Sequence, residues 1–140
     1  MIKPNELRIG NWVKAPATYD KTPQDYKSVF QIKGIKLGAI YVEREKETDY
    51  IEIHKIEPIA LTEEWLLKFG FKNRSGIWQN SSEFSLEYGE SNYDIGKGWR
   101  YGFFSFKIKS VHQLQNLYFA LSGKELILKS KISVEKQSQY

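Results

Sequence analysis

The chain has 140 residues, with 21 Lys and Arg against 17 Asp and Glu and no cysteine, for a net charge of +4. That length holds one domain or two very small ones packed together. Without cysteine there is no disulfide framework, thiolate zinc site or iron–sulfur cluster, and +4 is far from the charge density of an obligate DNA binder.

Pro4, Asn5, Glu6 and Arg8 stand where a signal peptide needs an apolar run, and the longest apolar windows, such as Leu117–Leu121, are far below membrane-span length. The expectation is a cytoplasmic protein with no membrane association. Aromatic residues make up 15 % of the chain, with 4 Trp, 9 Tyr and 8 Phe. Each buried ring removes roughly 150–250 Å² from water, so a core is within reach at this size. Residues 1–60 carry 10 basic and 9 acidic side chains, residues 61–125 carry 8 and 7, and the last fifteen carry 3 and 1. No segment forms an electrostatic stripe, and no repeat is visible.

Residues 1–60 read as short strands. Gly10-Asn11 breaks the run of Leu7, Ile9 and Val13 and predicts a bulge or turn. Ala15 to Gln24 is loop-like. Val29–Ile32 reads as a strand interrupted at Lys33-Gly34, and Ala39–Glu43 as another. The charged stretch Arg44 to Asp49 reads as a hairpin tip or loop. Tyr50 to Ile56 alternates, with Ile51 and Ile53 on one face and Tyr50, His54 and Ile56 near the other. Strands this short and this closely spaced predict a small, strongly bent sheet or SH3-like β-barrel.

Leu61 to Phe71 predicts a short helix. Thr62 suits the N-cap, Glu63 and Glu64 favour the positive end of the helix dipole, and Leu61 and Leu66 are placed as a hydrophobic staple. Gly70 fits the left-handed position after the helix, with Phe71 folding back on Leu66.

A second run of strands follows. Gly76–Gln79 is short, and Phe84, Leu86 and Tyr88 give one apolar face. Gly89–Asn92 reads as a turn, and Tyr93 and Ile95 pair back before a further turn at Gly96-Lys97-Gly98. Trp99, Tyr101 and Phe103 then alternate, with a change of phase beside Gly102 so that Phe104, Phe106 and Ile108 share a face.

Ser110 and Gln113 form a Ser-x-x-Gln capping box. Val111, Leu114, Leu117, Tyr118 and Leu121 follow as a helical stripe, and Gly123 caps the end. Leu126, Leu128, Ile132 and Val134 alternate as a strand, and Lys136–Tyr140 reads as a disordered tail. The fold class expected is α+β: an SH3-like β unit over 1–60; a helix, a three- to four-stranded antiparallel sheet and a C-terminal helix packed on it over 61–126; and an extension over 127–140.

Three segments in order carry a family likeness. They are Asn5-Glu6-Leu7-Arg8-Ile9-Gly10-Asn11-Trp12-Val13, then Ile56-Glu57-Pro58-Ile59-Ala60-Leu61-Thr62-Glu63-Glu64-Trp65-Leu66, then Val111-His112-Gln113-Leu114-Gln115-Asn116-Leu117-Tyr118-Phe119-Ala120-Leu121 closing with Gly123-Lys124-Glu125-Leu126. Together they span nearly the whole chain, which resembles a family of small uncharacterised proteins from Bacteroidetes genomes and their phages or integrated mobile elements. The resemblance implies a phage or mobile-element origin. It implies no activity, and the segment after Leu126 runs past the family's usual ending.

Chemistry-bearing residues are sparse. His54 lies in an alternating strand and His112 in the first turn of a capped helix, neither with a metal-ligand partner at motif spacing, so both read as surface or half-buried polar residues. Glu83, Glu87, Glu90 and Asp94 flank a hairpin and read as a solvated rim rather than a cation site. Gln115 and Asn116 interrupt an apolar helix and read as structural amides before ligand contacts. No cofactor, metal or catalytic set is expected. The richest surface candidate is Trp78, Trp99, Arg100, Tyr101, Phe103 and Lys107, where aromatic and basic side chains interleave on strands. Against it stands the plainer reading that these rings are core.

Two functions follow from different classes. The first is a non-catalytic module that binds another protein, through that aromatic surface if its rings are exposed together. The alternative is a small nucleic-acid-binding module using the same aromatic and basic sheet face.

Overall fold

The computed structural model describes residues 2–16, 27–44, 47–80, 84–91, 94–101 and 107–129. The architecture is mixed α+β, with antiparallel sheets and two α-helices among the described residues, which divide between Ile59 and Ala60 into two compact units.

Among the described residues the first unit holds five strands: β1 (Trp12–Pro16), β2 (Lys27–Gln31), β3 (Gly34–Lys36), β4 (Ala39–Arg44) and β5 (Glu47–Glu52). β1 pairs with β2, and β3, β4 and β5 form a second antiparallel sheet. Backbone bonds pass between them at Ile32 and Lys33. The Ile32 N–H donates to the Asn11 carbonyl (2.8 Å), and the next N–H, of Lys33, donates to the Tyr41 carbonyl (2.9 Å). The turn expected at Gly10 is present, with φ of +100°, which Gly adopts without penalty. Alternate residues point inward, so Val13, Ala15, Phe30, Ile32, Ile40, Val42 and Ile51 meet in one apolar cluster with Ile53 and Ile56.

Three expectations change here. Ala15 and Pro16 end β1 rather than opening a loop. β4 and β5 pair out to Arg44 and Glu47, so the charged stretch belongs largely to strands. The strand expected over 50–56 stops at Glu52 and becomes a 3₁₀ turn over Ile53–Lys55. That turn shifts the phase, which is why Ile56 is buried beside Ile53 rather than opposite it. Among the described residues no sheet closes into a barrel.

In the second unit, α1 (Glu63–Lys68) is bounded as its caps dictate. The Trp65 N–H donates to Thr62 Oγ1 (3.4 Å). At the other end Gly70 has φ of +91°, with Gly70 N–H donating to the Leu67 carbonyl (3.0 Å) and Phe71 N–H to that of Leu66 (2.9 Å). Four strands follow in sheet order β6-β7-β8-β9: β6 (Lys72–Arg74), β7 (Ile77–Gln79), β8 (Ser85–Ser91) and β9 (Asp94–Arg100). β6 carries no strand signal in the sequence, because Lys72, Asn73 and Arg74 are all exposed and show no apolar alternation. Such a charged edge resists pairing with another chain.

α2 (Val111–Ser122) starts at the expected capping box: Gln113 N–H donates to Ser110 Oγ (3.4 Å) and Ser110 N–H to Gln113 Oε1 (3.3 Å). It ends at Gly123 in the left-handed conformation. Tyr118 meets Phe84 edge-on, with ring centroids 5.1 Å apart. The buried face comprises Val111, His112, Leu114, Gln115 and Tyr118, while Leu117 is half-buried and Leu121 exposed. The expected stripe is therefore turned toward His112 and Gln115. Beyond Gly123, residues 124–129 form no strand. Leu126 is buried, and Lys129 N–H donates to the Lys68 carbonyl (2.6 Å) at the end of α1. The rest of the extension lies outside the described residues.

Candidate functional site

Of the aromatic and basic candidate surface in the second unit, Trp78, Trp99 and Tyr101 are taken up by packing. Trp78 and Trp99 are each only 6 % exposed and meet edge-on at 5.8 Å. Sheet register puts them on one face: Trp78 pairs with Leu86, and Trp99 with Tyr88. Tyr101 is half-buried and stacks on Phe84 at 4.7 Å. Joint exposure, the condition set for this surface, is thus not met by Trp78 and Trp99. Phe103 lies outside the described residues. A unit this small places its largest rings inside because each contributes so much apolar area.

The two cations of the candidate surface, Arg100 and Lys107, bind backbone. Arg100 is 5 % exposed; its Nε donates to the Gly89 carbonyl (2.9 Å) and its Nη2 to that of Gly96 (2.6 Å). These bonds hold the β8–β9 hairpin across the register shift between Gly89 and Ser91. Lys107 lays its stem against Gly98, and its Nζ donates to the Ile95 carbonyl. The Gly96-Lys97-Gly98 stretch is part of β9 rather than a turn, with the Lys107 side chain crossing the strand at both glycines and Gly96 at φ of +91°.

The histidines differ. His54 is exposed, with Nε2 3.3 Å from Glu52 Oε1. His112 is only 1 % exposed, and its Nδ1 lies 3.1 Å from Ser110 Oγ, so it belongs to the helix cap rather than to the surface. Glu87 and Glu90 are exposed, and Glu83 lies outside the described residues. Among the described residues no three His, Asp or Glu side chains converge on a metal position, and no helix is long and apolar enough to cross a membrane.

An aromatic face does exist, in the first unit. Gly34, Tyr41 and Tyr50 form one row across β3, β4 and β5. Ile40, Val42 and Ile51 are buried, so the alternate positions Tyr41, Glu43, Tyr50 and Glu52 take the outer face. The rings of Tyr41 and Tyr50 are 5.4 Å apart with planes at 51°. Tyr41 is half-buried because its ring covers Gly34; Tyr50 is 61 % exposed. Sequence reasoning passed over this pair. The signal was the alternation of Tyr50 against Ile51, which needed the register of β4 on β5 to bring Tyr41 beside it.

No family model, curated protein or solved structure matches the chain.

Proposed function

We infer that the chain is a non-catalytic protein–protein interaction module of phage or mobile-element origin, acting in the cytoplasm. The observation that carries the reading is the Tyr41–Tyr50 pair, held side by side by strand register with Tyr50 largely open to water. Tyr side chains are favoured at binding surfaces because they offer large, rigid, amphipathic area at low entropic cost. The origin rests on the three-segment family resemblance.

The first unit is read as a strongly bent SH3-like sheet. In support, backbone pairing runs from β2 through the Ile32–Lys33 handover to β4 and β5. On the other side of β1, Lys14 and Glu57 exchange both backbone bonds at 2.9 Å. The chain thus leaves β5 through the 3₁₀ turn and returns to pair beside β1.

The test uses the full chain and its Tyr50→Ala variant as paired affinity baits. A protein retained by the first and lost by the second supports the reading. Tight binding to single- or double-stranded DNA or RNA that weakens steeply with salt would instead favour the nucleic-acid alternative.

A further inference from the structure

We propose that the outer face of the β3–β4–β5 sheet receives a cationic side chain, an arginine or lysine of a partner peptide, on the Tyr41–Tyr50 pair. The inference rests on reading the chain as an interaction module and names the chemistry that its exposed site selects.

The argument is the distribution of charge around the rings. Glu43 lies two residues beyond Tyr41 on β4, and Glu52 two residues beyond Tyr50 on β5. Residues so spaced share a strand face about 7 Å apart. Because β4 and β5 are antiparallel, the carboxylates fall on opposite sides of the Tyr row: Glu43 pairs with Thr48, and Glu52 with Ala39. Both are exposed. An aromatic pair flanked diagonally by two carboxylates attracts a cation in two ways. The ring faces draw it through their quadrupoles, and the carboxylates supply charge-assisted hydrogen bonds. Guanidinium fits best, being planar, weakly hydrated and able to stack.

The same arrangement disfavours the phosphates of nucleic acid, which would meet like charge at both ends of the rings. Lys36, in the row with Ala39 and Glu52, is the one cation among the described residues of this outer face. In the following turn Lys55 Nζ lies 3.9 Å from Glu52 Oε1, and His54 Nε2 lies 3.3 Å from the same oxygen. Tyr41 has one ring side on Gly34, and Tyr50 beside it is 61 % exposed.

The experiment is amide NMR on the full chain, titrated with two Gly/Ser peptides of identical sequence, one carrying arginines and the other citrullines. The arginine peptide should shift the resonances around Tyr41, Glu43, Tyr50 and Glu52 and saturate. Tyr50→Ala should weaken it about two- to fivefold, and Glu43→Gln with Glu52→Gln by a similar factor. These side chains are exposed at Tyr50, Glu43 and Glu52, and unchanged spectra elsewhere confirm that the variants fold. Equal binding of the citrulline peptide, shifts confined to another surface, or no saturable shift would each overturn the proposal. So would stronger displacement of these resonances by oligo(dT). Failure here with a partner still captured through Tyr50 removes only the cation; a bait insensitive to Tyr50→Ala removes the interaction reading itself.

Discussion

The ring of Tyr41 covers the backbone of Gly34, its partner across β3 and β4. A Cβ built at residue 34 would overlap the Tyr41 ring, with Cζ, Cε1 and the hydroxyl oxygen as its nearest neighbours. The glycine opens a place on the sheet, and the aromatic ring shields the exposed backbone there. Gly34→Ala should therefore push Tyr41 off its seat and destabilise the protein by about 1–3 kcal/mol. Urea denaturation measures this. Because the clash is with one side chain, combining it with Tyr41→Ala should cost less than the two single changes added together.

Arg100 makes a sharper prediction. Its guanidinium satisfies carbonyls on both strands of the β8–β9 hairpin from a buried position. Arg100→Met should cost about 2–3 kcal/mol, since the partner carbonyls lose charge-assisted bonds. Arg100→Lys should recover only part of that, because an ammonium cannot span both acceptors as a planar fork does. Amide hydrogen exchange should rise first at Gly89 and Gly98, which pair across the hairpin.

Gly98 and Lys107 form a testable couple. A Cβ at residue 98 would stand 2.6 Å from Lys107 Cδ and 2.7 Å from its Cγ. Gly98→Ala is expected to destabilise by about 1 kcal/mol in the native background and by much less when Lys107 is also changed to Ala. Denaturation of the four proteins of the cycle reads the coupling.

At the start of α2, Ser110→Ala should cost about 0.5–2 kcal/mol, the usual range for loss of an N-cap. Ser110 Oγ accepts from Gln113 N–H and also lies within bonding distance of His112 Nδ1, so the upper part of that range is expected. Gln113→Ala should cost less, as its side chain is exposed and the Ser110 cap persists. The helical signal in far-UV circular dichroism, followed through urea denaturation, separates the two.

These pairs also show what the sequence made legible. Thr62, Ser110, Gln113, Gly70 and Gly123 act on backbone groups within a few residues, so both helices and their ends followed from local chemistry. The place of Gly96 and Gly98 within a strand did not, because Lys107 lies against both and Arg100 bonds the Gly96 carbonyl, contacts made only in the folded hairpin. Without those cations a Gly-Lys-Gly stretch has every mark of a turn. The buried face of α2 was misplaced for a related reason. His112 and Gln115 are polar, and only the partners around them make their burial tolerable. The outer aromatic pair stayed hidden because Tyr41 and Tyr50 lie nine residues apart and meet by register alone. The aromatic content visible at the outset therefore divides, with Trp78 and Trp99 filling the core of one unit and Tyr50 facing water on the other.

The most direct measurement places a photo-crosslinking amino acid, p-benzoylphenylalanine, at position 50 and at exposed Lys97 as a control. Irradiation in a lysate of the source cells should yield a discrete adduct from position 50 alone. That adduct should be sensitive to protease, resistant to nuclease, and lost on adding Tyr41→Ala. A nuclease-sensitive adduct, or the same pattern of products from both positions, would contradict the assignment of this face to a protein partner.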